Sequence, residues 1–150
     1  MKNRFNILFV MALVLAGVVG LQAQTDSPSD STTDDLVAVE KVAMDYLTSG
    51  PTGDVERLKN AFHASARLQF VRDNEYNEWD GQDYVNGRKP GKKSDCQYRV
   101  LSIDCAGTAA MAKVELDYGT TRFIDYLSML KIDGRWWIVN KIFHAEREVQ

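Results

Sequence analysis

Four side chains of this sequence combine the types and positions that acid–base or binding chemistry needs: Asp125, Asn140, His144 and His63. Two of them lie in "KIDGRWWIVNKIFHAE", residues 131–146. Asp133-Gly134 reads as a hairpin turn and the residues after it as a strand. If Trp136 and Ile138 face a core, period-2 alternation carries Asn140 and His144 onto the same face. A two-residue turn pairs Ile132 with Arg135. Counting on sets Asp125 opposite Ile142, Leu127 opposite Asn140 and Phe123 opposite His144. Asp125, Asn140 and His144 are then same-face neighbours, with diagonal spacings of roughly 7–8 Å. This register holds for an unbulged hairpin; one extra residue would turn every later side chain to the opposite face.

A buried carboxylate needs a partner, since leaving it unpaired costs several kcal/mol. His63, just ahead of the first strand, is the candidate from outside the hairpin. Three uses of the set are open. Asp125 could accept from a histidine while Asn140 satisfies a backbone group, which only braces the fold. The same groups could orient a small molecule in an apolar cavity. They could also catalyse, with Asp125 as base or histidine orienter and His63 or His144 as proton shuttle. Two histidines and a carboxylate could hold a metal, but they lack any local spacing signature. No metal and no cofactor are expected.

The elements that position these residues follow from composition and patterning. The chain has 150 residues, 45% hydrophobic and 10% aromatic, enough for one domain with a core. Lys2 and Arg4 precede an apolar run to Leu21 and then Gln22-Ala23-Gln24, which fits a secretory signal peptide over residues 1–23. An exported protein, periplasmic or secreted, is expected, with no membrane association after cleavage. Losing Lys2 and Arg4 leaves 16 basic residues against 21 acidic ones, a net charge of −5. That argues against nucleic acid. Arg88, Lys89, Lys92 and Lys93 surround Pro90-Gly91 and read as a solvated loop, with an anion-steering lip as the alternative.

Residues 24–35 are small, polar and acidic, a disordered lead-in. A helix capped by Thr33 or Asp34 should carry Leu36, Val39, Val42, Ala43, Tyr46 and Leu47 and stop at Ser49-Gly50-Pro51. A short helix follows Thr52, then a strand at 66–71, a polar stretch, and a third helix started by Asp80. Three hairpin-linked strands precede the closing one. In "MAKVELDY", Ala112, Val114, Leu116 and Tyr118 share one face. Cys96 and Cys105 bracket one strand, about 30 Å apart, so free thiols are expected.

Helix, helix, "NAFHASARLQF", short helix and then "DYLSMLKIDGRWWIVNKIFH" resembles the nuclear transport factor 2-like superfamily, and within it the group termed "putative lumazine-binding". The resemblance covers residues 36–146 and implies an α+β fold: a cone-shaped, curved antiparallel sheet wrapped around N-terminal helices, as in cystatin-like folds. It also implies a cavity at the mouth of the cone and frequent homodimers packed sheet to sheet. The superfamily holds both enzymes and non-enzymes, so fold alone does not choose. Binding of a small organic molecule is the expected function, with Tyr46, Phe62, Tyr118, Trp136 and Asn140 as the ligand-binding set. A lyase or isomerase using Asp125 with His63 or His144 is the alternative, and a dimeric interaction module a third. Trp137, Val139 and Phe143 on the outer face form the expected homodimer patch.

Overall fold

The structure, a computed structural model, describes residues 30–147. The expected signal peptide and the first part of the expected polar lead-in fall outside these residues. Two helices come first, α1 (Asp30–Thr52) and α2 (Val55–Ala61), followed by β1 (Phe62–Arg72), β2 (Glu75–Asp80) and α3 (Gly81–Asn86). Four long strands complete the chain: β3 (Gln97–Ala106), β4 (Ala109–Asp117), β5 (Thr121–Ile132) and β6 (Arg135–Arg147). The strands form one curved, unclosed sheet in the order β2-β1-β6-β5-β4-β3.

α1 buries Val39, Val42, Ala43, Tyr46 and Leu47, the stripe that its 3.6-residue spacing predicts. It starts at Asp30, ahead of the expected cap, and runs through Pro51 to Thr52. The Thr48 and Thr52 hydroxyls donate back to the carbonyls of Met44 and Thr48 at 2.7 and 2.6 Å. α2 is capped by Asp54, whose side chain accepts from the Arg57 backbone, and α3 by Asp80.

The sheet departs from the expected all-antiparallel pattern in one pair, because β1 runs parallel to β6. Both strands leave the same end of the molecule, with Phe62 beside Ile138. The β2 strand replaces the expected polar stretch. Asp73 and Asn74 both adopt positive φ, 55° and 62°, and turn the chain back on β1.

Three irregularities bend the sheet. In β6, Ile138 pairs with Met129 and Asn140 with Ser128, so Val139 is an extra residue. At the same level β1 slips between Phe62 and Arg67 against β6. In β3, Leu101 is extra, between Val100 and Ser102. Such bulges increase local twist and curl a sheet around what it covers. Here the concave face covers α1. Leu68, Val114, Leu127, Met129 and Ile138 meet the α1 stripe in one buried core. One end is shut by Asp35, which accepts from Lys131 Nζ at 2.7 Å and Trp136 Nε1 at 3.0 Å. Those two hydrogen bonds hold the Asp35 carboxyl below its ordinary range. Cys96 and Cys105 are unbridged within the chain.

Candidate functional site

The β6 bulge decides which side chains reach the interior. Up to Ile138 the strand follows simple alternation, and Trp136 and Ile138 are buried. Beyond Val139 the phase reverses. Asp125 pairs with Phe143 rather than Ile142, and Leu127 with Lys141 rather than Asn140. Lys141 and Phe143 therefore point inward, and the expected set of Asp125, Asn140 and His144 does not form. His144 is exposed beside Ile124. Asn140 sits half-buried at the bulge, its Oδ1 without a partner. His63 also lies away from Asp125, with Nδ1 2.8 Å from Ser65 Oγ and its ring edge-on to Trp137 at 6.0 Å. Phe143, expected on the outer face, stacks inside on Phe70 at 4.5 Å.

What gathers around Asp125 is different. Asp125 is fully buried and Lys141 only 4% exposed. Lys141 Nζ donates to Asp125 Oδ2 at 3.1 Å and to Tyr46 Oη at 2.9 Å. Tyr46 Oη in turn donates to Asp125 Oδ2. An ammonium has three protons, and these bonds use two. The rings of Phe143, Tyr46 and Tyr84 surround the ammonium, with centroids at 4.4, 5.2 and 5.6 Å. Aromatic faces and a carboxylate both attract a cation placed between them. Burial first, and the Asp125 carboxylate next, push the Tyr46 phenol well above its ordinary value. The Tyr46 phenol is therefore neutral at neutral pH, held between the Lys141 amine and the Asp125 carboxyl.

The group lies at the floor of a cavity of about 480 Å³, a size suited to a small organic molecule. Tyr46, Tyr84, Tyr118, Phe123, Phe143 and Trp79 supply aromatic wall, and Lys141 reaches it from below. Burial pushes the Tyr118 phenol up as well. Of the expected ligand-binding set, Tyr46 and Tyr118 line this space. Phe62 is core, packed against Tyr46 and Tyr84 at 5.8 Å. Trp136 serves the closed end beside Asp35. Asp125 stands behind Tyr46 and Lys141 rather than at the cavity surface. The basic loop is exposed, as expected of a solvated loop, and Lys89, Lys92 and Lys93 also line the mouth together with Arg72 and Arg88. Among the described residues, no three His, Cys, Asp or Glu side chains come together as a metal site.

Residues 34–144 match the family profile described as "Putative lumazine-binding". The chain belongs to that family. A nuclear transport factor 2-like protein from Methylobacillus flagellatus is 33% identical, with a TM-score of 0.63 over 75% of this chain and 93% of its own. A second such protein, from Silicibacter pomeroyi, superimposes with a TM-score of 0.68 at 23% identity, over 77% and 98% of the two chains. A protein named aldolase FrzH, from Cladobotryum sp, is 28% identical over 117 residues, 76% of this chain and 94% of its own. The chain thus shares the expected nuclear transport factor 2-like fold.

Sequence reasoning missed Lys141 because it assumed an even count along β6. A lone lysine between apolar neighbours in "IVNKIF" was the available signal. Only the pairing of β6 with two different strands reveals which way that lysine points.

Proposed function

We propose that this chain holds a small organic molecule in the cavity, with an oxygen of that molecule against Lys141 Nζ. The observation carrying this reading is a buried ammonium at the cavity floor with one proton left to donate. A carbonyl, enolate or alkoxide oxygen is the complement of such a group, because a charge-assisted donor in a low-dielectric site is worth far more than in water. The description of the matching family, "Putative lumazine-binding", supports it. Native mass spectrometry of the purified protein against a small-molecule extract tests it. The bound species should disappear in Lys141→Met and persist in His144→Ala. Retention of every bound species by Lys141→Met would overturn the role of the lysine.

A second reading is favoured by the hydrogen-bond chain and by the aldolase-named relative. Tyr46 Oη could take an α-proton from a carbonyl substrate while passing its own proton to Asp125 Oδ2. The ammonium of Lys141 would stabilise the enolate oxygen. Electrons from the broken C–H bond then reside on the enolate, ready to attack an aldehyde carbon. This replaces the Asp–His pair, whose histidines lie apart from Asp125. Asp125→Asn should abolish deuterium exchange at the α-carbon of a bound ketone while leaving binding intact. Unchanged exchange would remove the catalytic reading and keep the binding one.

Export remains part of the proposal, on the pattern of residues 1–23. N-terminal sequencing of the mature protein should begin after that segment. An outer-face homodimer is proposed as well, now through Trp137 and Val139 without Phe143.

A further inference from the structure

We infer that the ligand of this cavity is an organic anion: an apolar ring body between the aromatic walls, with a carboxylate or phosphate at the mouth. Resting on the cavity reading above, it adds the charge of the occupant. Arg72, Arg88, Lys89, Lys92 and Lys93 all line the opening, against one carboxylate, Asp54. Asp54 is already engaged, capping α2 at Arg57 N and pairing with Arg57 Nε at 3.4 Å. Among the described residues, none of the five cations has a carboxylate within 4 Å. Elsewhere pairing is usual, as in Lys41–Asp45, Arg67–Asp80, Arg99–Glu115 and Arg122–Glu146. In a chain of net charge −3, uncompensated positive charge is concentrated at one opening.

That charge is held in place. The Arg88 guanidinium lies 4.5 Å from the Tyr84 ring centroid and donates to Tyr84 Oη at 2.6 Å. Arg72 lies 5.0 Å from the Phe70 ring centroid. The lysine loop is pinned from below, where Gly91 N donates to Gly53 O at 2.9 Å. Gly53 has φ +71°, and a Cβ there would meet Gly91 C at 2.8 Å and Lys92 N at 2.9 Å. Only glycine permits that approach. Five like charges gathered around one opening repel one another, and direct their field into the apolar-walled cavity where an anion relieves it. With an ammonium at the floor and cations at the rim, the fitting molecule carries oxygen at both ends of an apolar body.

Calorimetric titration with three molecules sharing one ring body tests this: 1-naphthoate, 1-naphthyl phosphate and neutral 1-naphthalenemethanol. At low salt at least one anion should bind about tenfold or more tightly than the alcohol, a gap equivalent to about 1.4 kcal/mol. The gap should narrow as salt screens the rim. The better anion says whether the mouth suits a carboxylate or a phosphate. Arg72→Gln, and separately Lys89→Gln/Lys92→Gln/Lys93→Gln, should weaken the anion severalfold and leave the alcohol unchanged. Gly50→Phe, whose Cβ meets Tyr118 Oη and Ser94 Oγ at 3.3 and 3.7 Å, should block all three molecules. Equal binding of the three, lost in Gly50→Phe, would overturn the anion inference and keep the cavity reading. Failure of all three to bind at millimolar concentration would remove both.

Discussion

Replacing Lys141 by Met removes the ammonium and keeps most of the side chain's apolar length. In the native protein Asp125 Oδ2 accepts from both Lys141 and Tyr46, whereas Asp125 Oδ1 has no partner. Without the lysine, a fully buried carboxylate keeps one hydrogen bond from a neutral phenol and faces no counter-charge. Breaking a buried ion pair from one side costs about 3–5 kcal/mol. A domain of this size is typically stable by about 5–15 kcal/mol, so the variant should approach the threshold of folding. Replacing both partners, as in Asp125→Leu with Lys141→Met, should recover much of the loss, because matched apolar pairs avoid the desolvation of two charges. Urea denaturation followed by tryptophan fluorescence measures all three variants and closes the cycle with Asp125→Leu alone. A loss below about 1 kcal/mol in Lys141→Met would place the lysine on the solvent face, as an unbulged β6 would. Additive single losses in the double variant would separate the two groups, and either result refutes the buried pair.

Gly53→Ala should lower the melting temperature by several degrees and expose residues 88–93 to trypsin, since the added methyl strikes the Gly91–Lys92 backbone; an unchanged cleavage pattern would free the loop from Gly53. Tyr46 and Tyr118 both have folded values raised above the ordinary phenol. The stability they contribute is complete below about pH 10 and is lost as pH rises through the folded values. Absorbance near 295 nm should therefore show these phenols ionising only as the protein unfolds, and a single ordinary tyrosine titration would contradict their burial. Trp137→Glu should shift a dimer to monomer in analytical ultracentrifugation without unfolding it; an unaffected assembly would remove the outer-face interface.

Much of the fold was legible in local residue chemistry. The α1 stripe, the Asp80 cap, the Asp133-Gly134 turn and the alternation of Ala112, Val114 and Leu116 each follow from contacts a few residues apart. β2 was hidden because Glu75–Asp80 is mostly exposed and polar, leaving the Asp73-Asn74 turn as its one local mark. The site was less legible still. Asp125 was found because a carboxylate inside an apolar strand is conspicuous wherever its partner lies. Its true partner depended on Val139, whose unpaired state is settled by pairing with β5 across the hairpin and with β1, about 70 residues earlier in the chain. No window of β6 contains that information. The basic cluster was visible as a run of charge, but its place over the cavity depended on a glycine contact across nearly 40 residues.

The bulge at Val139 also divides β6 into two segments with separate duties. Before it, Trp136 packs at the closed end beside Asp35, and after it Lys141 and Phe143 line the cavity. A substitution on either side leaves the reading frame of the other untouched, whereas gain or loss of one residue between them exchanges interior for exterior along the whole distal segment. The cost of a replacement along this strand stays at its own site, whereas a change of length is felt by every residue beyond it.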